Sequence, residues 1–459
     1  MNALKQYIDL YDEHRQLVES NSAPLLNERR AEARDVLSAC VLPKKGSENY
    51  EHTDLSAMLA TDYGINITRQ PMAVNPAASF RCDVPNMSTA LFFLINDAWA
   101  RTDNSFNKIP EGVVIGSLRK VAAERPELLA DYYGKVADMS NPMVALNTLL
   151  AQDGMVVYIP KGTVVEKPIQ LVNIFSSDCP LMAFRRLLII AEENSQAQLL
   201  ICDHTQNQEQ DFLSLQTIEI VAKAGAHFDL YDLEESSHRT KRISTLYVRQ
   251  EQDSNVLVDG ITLTNGQTRN EYYASLDGRN ASLSLLGMGI EDDDRRIDTY
   301  SLIRHNQSDC TSNELFKYVL DDNARGAFCG RIYVAPYATK TEAYQANRNI
   351  VVTDTAKMHS KPQLEIYNDD VKCSHGTAIG QLDPQQVFYM RARGLSEEAA
   401  KTLLKQAFMA DVIDGVRLPA LKDRLRMLVE KRFSGADANC TTCGADCMST
   451  LEHLEGDLQ

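Results

Sequence analysis

The sequence lacks the features that define several common classes of protein. Its 459 residues contain no run of four Lys or Arg, and 63 acidic residues outnumber 47 basic ones, giving a formal charge of −16. Such a chain would repel a phosphate backbone, so nucleic-acid binding is not expected. No stretch of 18 apolar residues occurs, so no membrane-spanning helix is expected. No glycine-rich phosphate loop occurs, so the chain should not hydrolyse ATP itself.

Export signals and a disulfide pattern are missing as well. The first residues lack the basic stretch and the apolar segment of a signal peptide. The ten cysteines therefore indicate reduced thiols in a cytoplasmic protein rather than a disulfide framework.

Three of these cysteines lie close together near the end of the sequence. Cys440, Cys443 and Cys447 form a Cys-x2-Cys-x3-Cys arrangement, and His453 follows six residues later. Three or four soft ligands within 14 residues predict a tail that binds zinc or an iron–sulfur cluster. A tail whose thiols merely cluster is the alternative, and the sequence leaves both open.

What the sequence does contain is a long stretch of strand-like character between two helical regions. Short apolar runs with a period of two begin at about residue 155. A helix start follows at Asp383 and Pro384, and Gly394 is placed to end that helix. We therefore predict a mostly β protein with four regions: helical and mixed residues 1–150, a β core at 151–382, helices at 383–435 and a cysteine-rich tail at 436–459.

A weak repeat runs through the β core. A small residue in a polar turn, directly followed by a strand, occurs at Ala197, Ala226, Asn255 and Ala281, at intervals of 29, 29 and 26 residues. A period of this size is typical of one coil of a β-solenoid, in which each coil buries its apolar side on the next. A β-sandwich is the alternative, since its turns also recur at short intervals.

The densest candidate site lies near the end of the β core. Cys373 and His375 are two residues apart, so on an extended strand they point to the same face. A thiolate and an imidazole can share an iron or zinc ion, and Asp369 and Asp370 are placed to add ligands or to orient the imidazole. Two ligands do not complete a site, so the rest must come from elsewhere or from another chain. A buried cysteine beside a hydrogen-bonded histidine is the alternative.

Other histidines and cysteines carry no prediction of a site. His52 and His359 stand among residues that are not ligands, so we interpret them as surface or hydrogen-bonded side chains. Cys179 and Cys202 are expected to be small buried hydrophobes, and Cys329 is assigned no role.

The segment around the candidate site resembles a known family. It closely resembles the C-terminal signature of the SufB/SufD family of iron–sulfur cluster assembly proteins, over residues 321–332, 344–349, 361–376, 380–383 and 387–395. Residues 48–55 resemble the family's N-terminal motif more loosely. The resemblance implies a right-handed parallel β-helix core flanked by N-terminal and C-terminal helical regions, in agreement with the strand pattern and the repeat.

Within that family the sequence is most like SufD. SufB-type chains carry an acceptor cysteine in the strand after an Arg-Asn pair, whereas Thr353 stands at about that place here. Residues 372–376 resemble the SufD form, whose histidine is thought to face the SufB cysteine. The resemblance therefore implies that His375, with Cys373 beside it, helps to bind a transient iron–sulfur cluster at the interface with a SufB-type partner.

The resemblance also implies partners and the absence of catalytic activity. A SufD-type chain pairs with SufB, and each binds one SufC, an ABC-type ATPase, through C-terminal helices, here 396–433. Two alternatives are a SufB-like scaffold that acts alone and a carbohydrate-acting β-helix enzyme. The missing export signal and the low aromatic content, 7% with one Trp, argue against the enzyme. A flavin, the iron donor and a homodimer of the isolated chain stay open.

Overall fold

The computed structural model describes residues 3–70, 89–100 and 109–434. The described residues divide into two compact units, one formed by residues 3–70, 89–100 and 109–381 and the other by residues 382–434. Within the described residues, the first unit is a β-solenoid with helices packed on it, and the second contains three helices.

Strands dominate the first unit, and helices precede and follow them. The described α-helices are α1 (Lys5–Ser20), α2 (Pro24–Asn27), α3 (Arg30–Ala39), α4 (Leu55–Leu59), α5 (Leu118–Glu124), α6 (Pro142–Leu150), α7 (Pro384–Arg391), α8 (Glu397–Gly415) and α9 (Pro419–Phe433). The described strands are β1 (Ala90–Ile95), β2 (Ala98–Trp99), β3 (Val114–Ser117), β4 (Met155–Ile159), β5 (Ile169–Phe175), β6 (Leu181–Ala191), β7 (Gln196–Thr205), β8 (Phe212–Ala222), β9 (His227–Glu235), β10 (Thr240–Gln250), β11 (Asn255–Thr264), β12 (Gln267–Leu276), β13 (Ser282–Glu291), β14 (Arg296–His305), β15 (Thr311–Leu320), β16 (Arg325–Val334), β17 (Thr341–Val351), β18 (Lys357–Ile366) and β19 (Val371–Gly380).

From β4 onward, successive strands alternate between two parallel sheets. The even-numbered strands from β4 to β18 form one sheet, joined by β3, and the odd-numbered strands from β5 to β19 form the other, joined by β1 and β2. Each strand pairs in parallel with the strand two positions away, and the coils make about eight turns. The predicted β-solenoid is therefore confirmed. The β-sandwich alternative is wrong, because its sheets would be antiparallel.

Asn and Asp residues form the corners of the coils. Asn194, Asp253, Asn280 and Asp309 have φ angles of 55°, 58°, 60° and 61°. Asn and Asp tolerate this left-handed conformation better than most residues do, because their short polar side chains bond locally. Each corner lies two residues before a strand, namely β7, β11, β13 or β15. Gly225, with a φ of 67°, forms the corresponding corner before β9, and the weak repeat in the sequence is the recurrence of these five corners.

The N-terminal helices cover part of the solenoid. Buried residues of α1, α3, α4 and α6 form one apolar cluster with Phe184 on β6, Leu213 and Leu215 on β8 and Ile243 on β10. These strand residues alternate with side chains that face the solenoid interior, so the helices pack on the outer face of the even-numbered sheet. No described helix is both long and apolar enough to cross a membrane.

The helix signals predicted after the β core are confirmed. Asp383 caps α7, since its Oδ1 accepts a hydrogen bond from the Gln385 backbone N–H at 2.8 Å, and Pro384 occupies the first turn. Gly394 follows α7 with a φ of +96°, which glycine adopts without strain. Ser396 caps α8 by accepting a hydrogen bond from the Ala399 backbone N–H.

Candidate functional site

The candidate site lies on the last coil of the solenoid, which is open in the described part of the chain. β18 and β19 are the terminal strands of the two sheets, so each has a strand neighbour on one side only. Every residue of β19 is exposed or half-buried, whereas each strand from β4 to β18 has buried residues. Thr377 Oγ1 donates a hydrogen bond to Ser360 Oγ at 2.7 Å and joins the two strands across this coil.

A single column of inward-facing side chains leads through the solenoid to His375. Its members occupy paired positions on neighbouring strands of the odd-numbered sheet: Ile169, Leu199, Leu230, Val258, Leu285, Glu314, Gln345 and His375. The first five belong to the main apolar core. The last three are polar, so the column changes character where it approaches the open coil.

Glu314 and Gln345 form a buried pair directly beneath His375. Gln345 Nε2 donates a hydrogen bond to Glu314 Oε2 at 2.6 Å, and both side chains are almost fully buried. Burial raises the pKa of Glu314 to about 7, because no cation compensates for the lost water. The sequence prediction missed both residues. Polar side chains at inward positions of β15 and β17 are a signal for them, but one that becomes readable only when the strand register is known.

Cys373 lies two residues before His375 and faces the interior of the same coil. Its neighbours are the small apolar cluster of Ile332, Val334 and Ala343. Burial raises the pKa of the Cys373 thiol, so the thiol is the dominant form near neutral pH. A bound metal ion or a positive charge nearby is needed to make it a thiolate ligand.

The imidazole of His375 is exposed and, among the described residues, has no hydrogen-bond partner. The structure thus brings Cys373 and His375 together on one face, next to two strand edges. Asp369 and Asp370 lie in the exposed turn between β18 and β19, where the Asp370 backbone accepts a hydrogen bond from the Lys340 N–H. Thr353 lies in the turn after β17, and its hydroxyl donates to the Asp322 carbonyl at 2.9 Å.

The described residues contain no group of three or more His, Cys, Asp or Glu side chains arranged to hold a metal ion. Cys373 and His375 therefore offer at most half of a tetrahedral ligand set. Cys440, Cys443 and Cys447 of the predicted metal-binding tail lie outside the described residues, and so does His453.

A second group of polar side chains lies on the outer face of the even-numbered sheet. There a cavity of about 220 Å³ is lined by residues of β14, β16 and β18 and by Asn49, Glu51 and His52. The rings of His52 and His359 stack with centroids 4.0 Å apart, and Lys361 Nζ lies 3.0 Å from Glu51 Oε1. Both histidines are exposed, so their interpretation as surface side chains is confirmed, although the sequence did not predict that they contact each other.

The cysteine predictions had mixed outcomes. Cys202 is buried as expected, whereas Cys179 is exposed, so the prediction for Cys179 is wrong. Cys179 lies in the turn between β5 and β6, outside the strands that form the core. Cys329 is buried and lines the cavity beside His359.

Comparison with known proteins places this architecture in one family. The model of the SUF system FeS cluster assembly SufBD core domain matches residues 174–408, and that of the SufBD protein N-terminal region matches residues 1–171. The matched core begins within β5 and extends through the candidate site into α8. The chain belongs to the SufBD family of iron–sulfur cluster assembly proteins.

Individual relatives agree with this assignment. An iron–sulfur cluster assembly SufBD family protein of Synechocystis is 29% identical over 91% of this chain and 93% of its own length. The iron–sulfur cluster assembly protein SufD of Escherichia coli is 29% identical over 63% of this chain and 69% of its own length. SufD of Bacillus subtilis is 24% identical over 76% of this chain and 80% of its own length. The family match favours cluster assembly over a carbohydrate-acting enzyme.

Proposed function

We propose that this chain is a SufD-type scaffold subunit that pairs with a SufB-type chain and contributes His375 to a shared site for a nascent iron–sulfur cluster. The observation that carries the proposal is the position of Cys373 and His375 on the inward face of the open last coil. Ligands at this place are accessible to a partner, whereas the same column in earlier coils is sealed in the core.

The strand edges of β18 and β19 supply the surface for the partner. An exposed edge presents a row of backbone N–H and C=O groups that another strand can pair with. Such an end-to-end contact would bring a soft ligand of the partner over the open coil. Cys373 and His375 would then belong to a complete set of ligands, and the cluster would be the product handed on rather than a resident cofactor.

Thr353 supports the assignment to the SufD type. A threonine hydroxyl does not bind iron as a thiolate does, and that of Thr353 already donates to Asp322. The chain therefore lacks an acceptor cysteine at this place, which favours a partner that supplies one over a scaffold that acts alone.

A test is cluster formation on the complex with a SufB-type partner and the ATPase. We expect His375→Ala to lower the iron and sulfide bound per complex by roughly tenfold or more, because a ligand of the shared site is lost. Ser374→Ala is the matched control, since Ser374 is exposed on the opposite face of β19. Equal cluster content in the wild type and in His375→Ala would refute the role of His375.

The second unit carries the proposed dock for a SufC-type ATPase. Leu403 on α8 and Met427 on α9 are 44% and 42% exposed. Large apolar side chains in water favour a protein partner. We expect Leu403→Ser to weaken co-purification with the ATPase severalfold, while Glu398→Ser at an exposed position of the same helix leaves it unchanged. Undiminished ATPase binding by Leu403→Ser would place the dock elsewhere.

The remaining parts of the proposal stay predictions. The chain is expected to have no catalytic activity of its own and to work in the cytoplasm. Binding of zinc or a cluster by Cys440, Cys443 and Cys447 stays a prediction, and so do the four region boundaries.

A further inference from the structure

The polar end of the inward column contains an acceptor without a partner. Gln345 is 3% exposed, and its Oε1 has no hydrogen-bond partner among the described residues. An unpaired amide oxygen in the interior is costly, so native structures normally give it a donor. By strand register, the nearest neighbour on the next coil is His375.

The other end of the amide is held in place. Gln345 Nε2 donates to Glu314 Oε2, and Gly330 on β16 leaves room for this amide, since a Cβ atom there would collide with Nε2. A carboxyl group of Glu314 offers an acceptor oxygen in both its protonated and its ionised form. The amide nitrogen is therefore fixed toward Glu314, and the oxygen lies on the opposite side of the amide.

The distance between the coils suits a contact between Gln345 and His375. Neighbouring strands are about 4.8 Å apart, and side chains at paired positions on one face stack over each other. The His375 ring is exposed and without a hydrogen-bond partner, so it can rotate about its side-chain bonds. A ring N–H turned inward would reach the Gln345 oxygen.

We propose that Gln345, oriented by Glu314, is a positioning residue that accepts the inward ring N–H of His375 and leaves the other ring nitrogen facing the open end. The inference rests on the proposed function of His375 as a cluster ligand. A neutral imidazole binds metal through one nitrogen while the other donates to a protein acceptor, and this donation selects the tautomer. The column thus points a single lone pair toward the partner subunit.

The first test measures the tautomer of His375 in the isolated full-length chain. The chain is labelled with nitrogen-15 in its histidine rings, and the His375 signals are identified by their loss in His375→Asn. In mildly alkaline solution, we expect Gln345→Met to change the tautomer ratio of His375 about threefold to tenfold, which is what one ordinary hydrogen bond corresponds to. Gln363→Met on β18 is the control and leaves the ratio unchanged. An unchanged ratio in Gln345→Met overturns the proposed hydrogen bond.

The second test uses rescue to separate positioning from packing. In Glu314→Gln/Gln345→Glu, the amide and the carboxyl group exchange places, so the column keeps both its internal hydrogen bond and an acceptor beneath His375. We expect Gln345→Met to lower cluster content of the partner complex roughly tenfold and the exchanged pair to restore most of it. Equal losses in both variants overturn the positioning role, provided that their thermal unfolding matches the wild type.

The two tests keep this inference distinct from the proposed function. If His375→Ala leaves cluster content unchanged, the proposed function fails, while the tautomer measurement still decides whether the hydrogen bond exists. If His375→Ala abolishes assembly but Gln345→Met does not reduce it, the proposed function stands and the positioning role is overturned.

Discussion

The inward column has an apolar part and a polar part, and only the polar part reaches the open coil. From Ile169 to Leu285 its side chains are apolar and buried between neighbouring coils, whereas from Glu314 to His375 they are polar and approach the open end. The apolar part stabilises the fold, because each side chain is covered on both sides. The polar part gives up that stabilisation: Glu314 and Gln345 are buried there, and His375 is exposed on the open coil.

Buried carboxyl groups of the solenoid occur both with and without a cation, and Asp259 on β11 resembles Glu314 in that burial alone raises its pKa, to about 8. On β9, the carboxylate of Asp232 contacts the buried guanidinium of Arg242, so the interior there contains charge of both signs. Glu314 has the amide of Gln345 as its hydrogen-bond donor, and no cation contributes to its pKa. A buried carboxyl group without a cation is tolerated at functional sites more often than in structural cores.

The largest expected effect comes from equal truncations in the two parts of the solenoid. Leu230→Ala should lower the free energy of unfolding by about 2–5 kcal/mol, because it leaves a cavity in a fully packed column. Ile379→Ala on the open coil should cost less than about 1 kcal/mol, because Ile379 is 49% exposed already. Urea unfolding of both variants measures this difference. Equal losses would show that the last coil is as well packed as the others.

A smaller effect is expected from pH, and it tests the uncompensated charge of Glu314. Burial raises its pKa from 4.5 to about 7 in the folded chain, so the folded state binds the proton more tightly than the unfolded state does. The contribution of Glu314 to the free energy of unfolding is therefore fully present below about pH 4.5 and is lost as the pH rises toward 7. The total loss is about 3 kcal/mol, at 1.36 kcal/mol per pKa unit.

Glu314→Gln should remove this pH dependence. Relative to the wild type, the variant should become more stable by about 3 kcal/mol between pH 4.5 and pH 7, as followed by urea unfolding across that range. Glu342→Gln is the matched control, because Glu342 forms an exposed ion pair with Lys372. Parallel stability curves for the wild type and Glu314→Gln would mean that the carboxyl group is ionised in the folded chain without cost.

Local patterns made much of the fold predictable. The corners at Asn194, Gly225, Asp253 and Asn280 repeat at intervals of 31, 28 and 27 residues, and period-two strands follow them directly. The corner residue and the strand pattern that follows it each depend only on neighbouring residues, so both can be recognised in the sequence without knowing the fold. Cys373 and His375 were predictable as a pair for the same reason, since two residues on one strand share a face whatever the strand pairs with.

Contacts between distant segments were not predictable. His52 meets His359 only because residues 49–53 run along the outer face of the even-numbered sheet, where Thr53 hydrogen-bonds to Asp298. Glu314, Gln345 and His375 form one column only because three strands pair in one particular register, and a shift by one residue would turn them to opposite faces. Neither the packing partner of a segment nor the register of a parallel ladder is encoded locally.

The smallest expected effect is on thiol reactivity, and it measures how open the last coil is. Burial raises the pKa of Cys373, which lowers its thiolate fraction near neutral pH, and Cys373 is half-buried whereas Cys179 is exposed to the reagent. Iodoacetamide should therefore modify Cys373 several times more slowly than Cys179 in the folded chain, and Cys202 in the closed core more slowly still. Mass spectrometry of labelled peptides at successive times gives the three rates. If Cys373 reacted as slowly as Cys202, the last coil would be closed in solution, and the comparison between the two parts of the column would lose its basis.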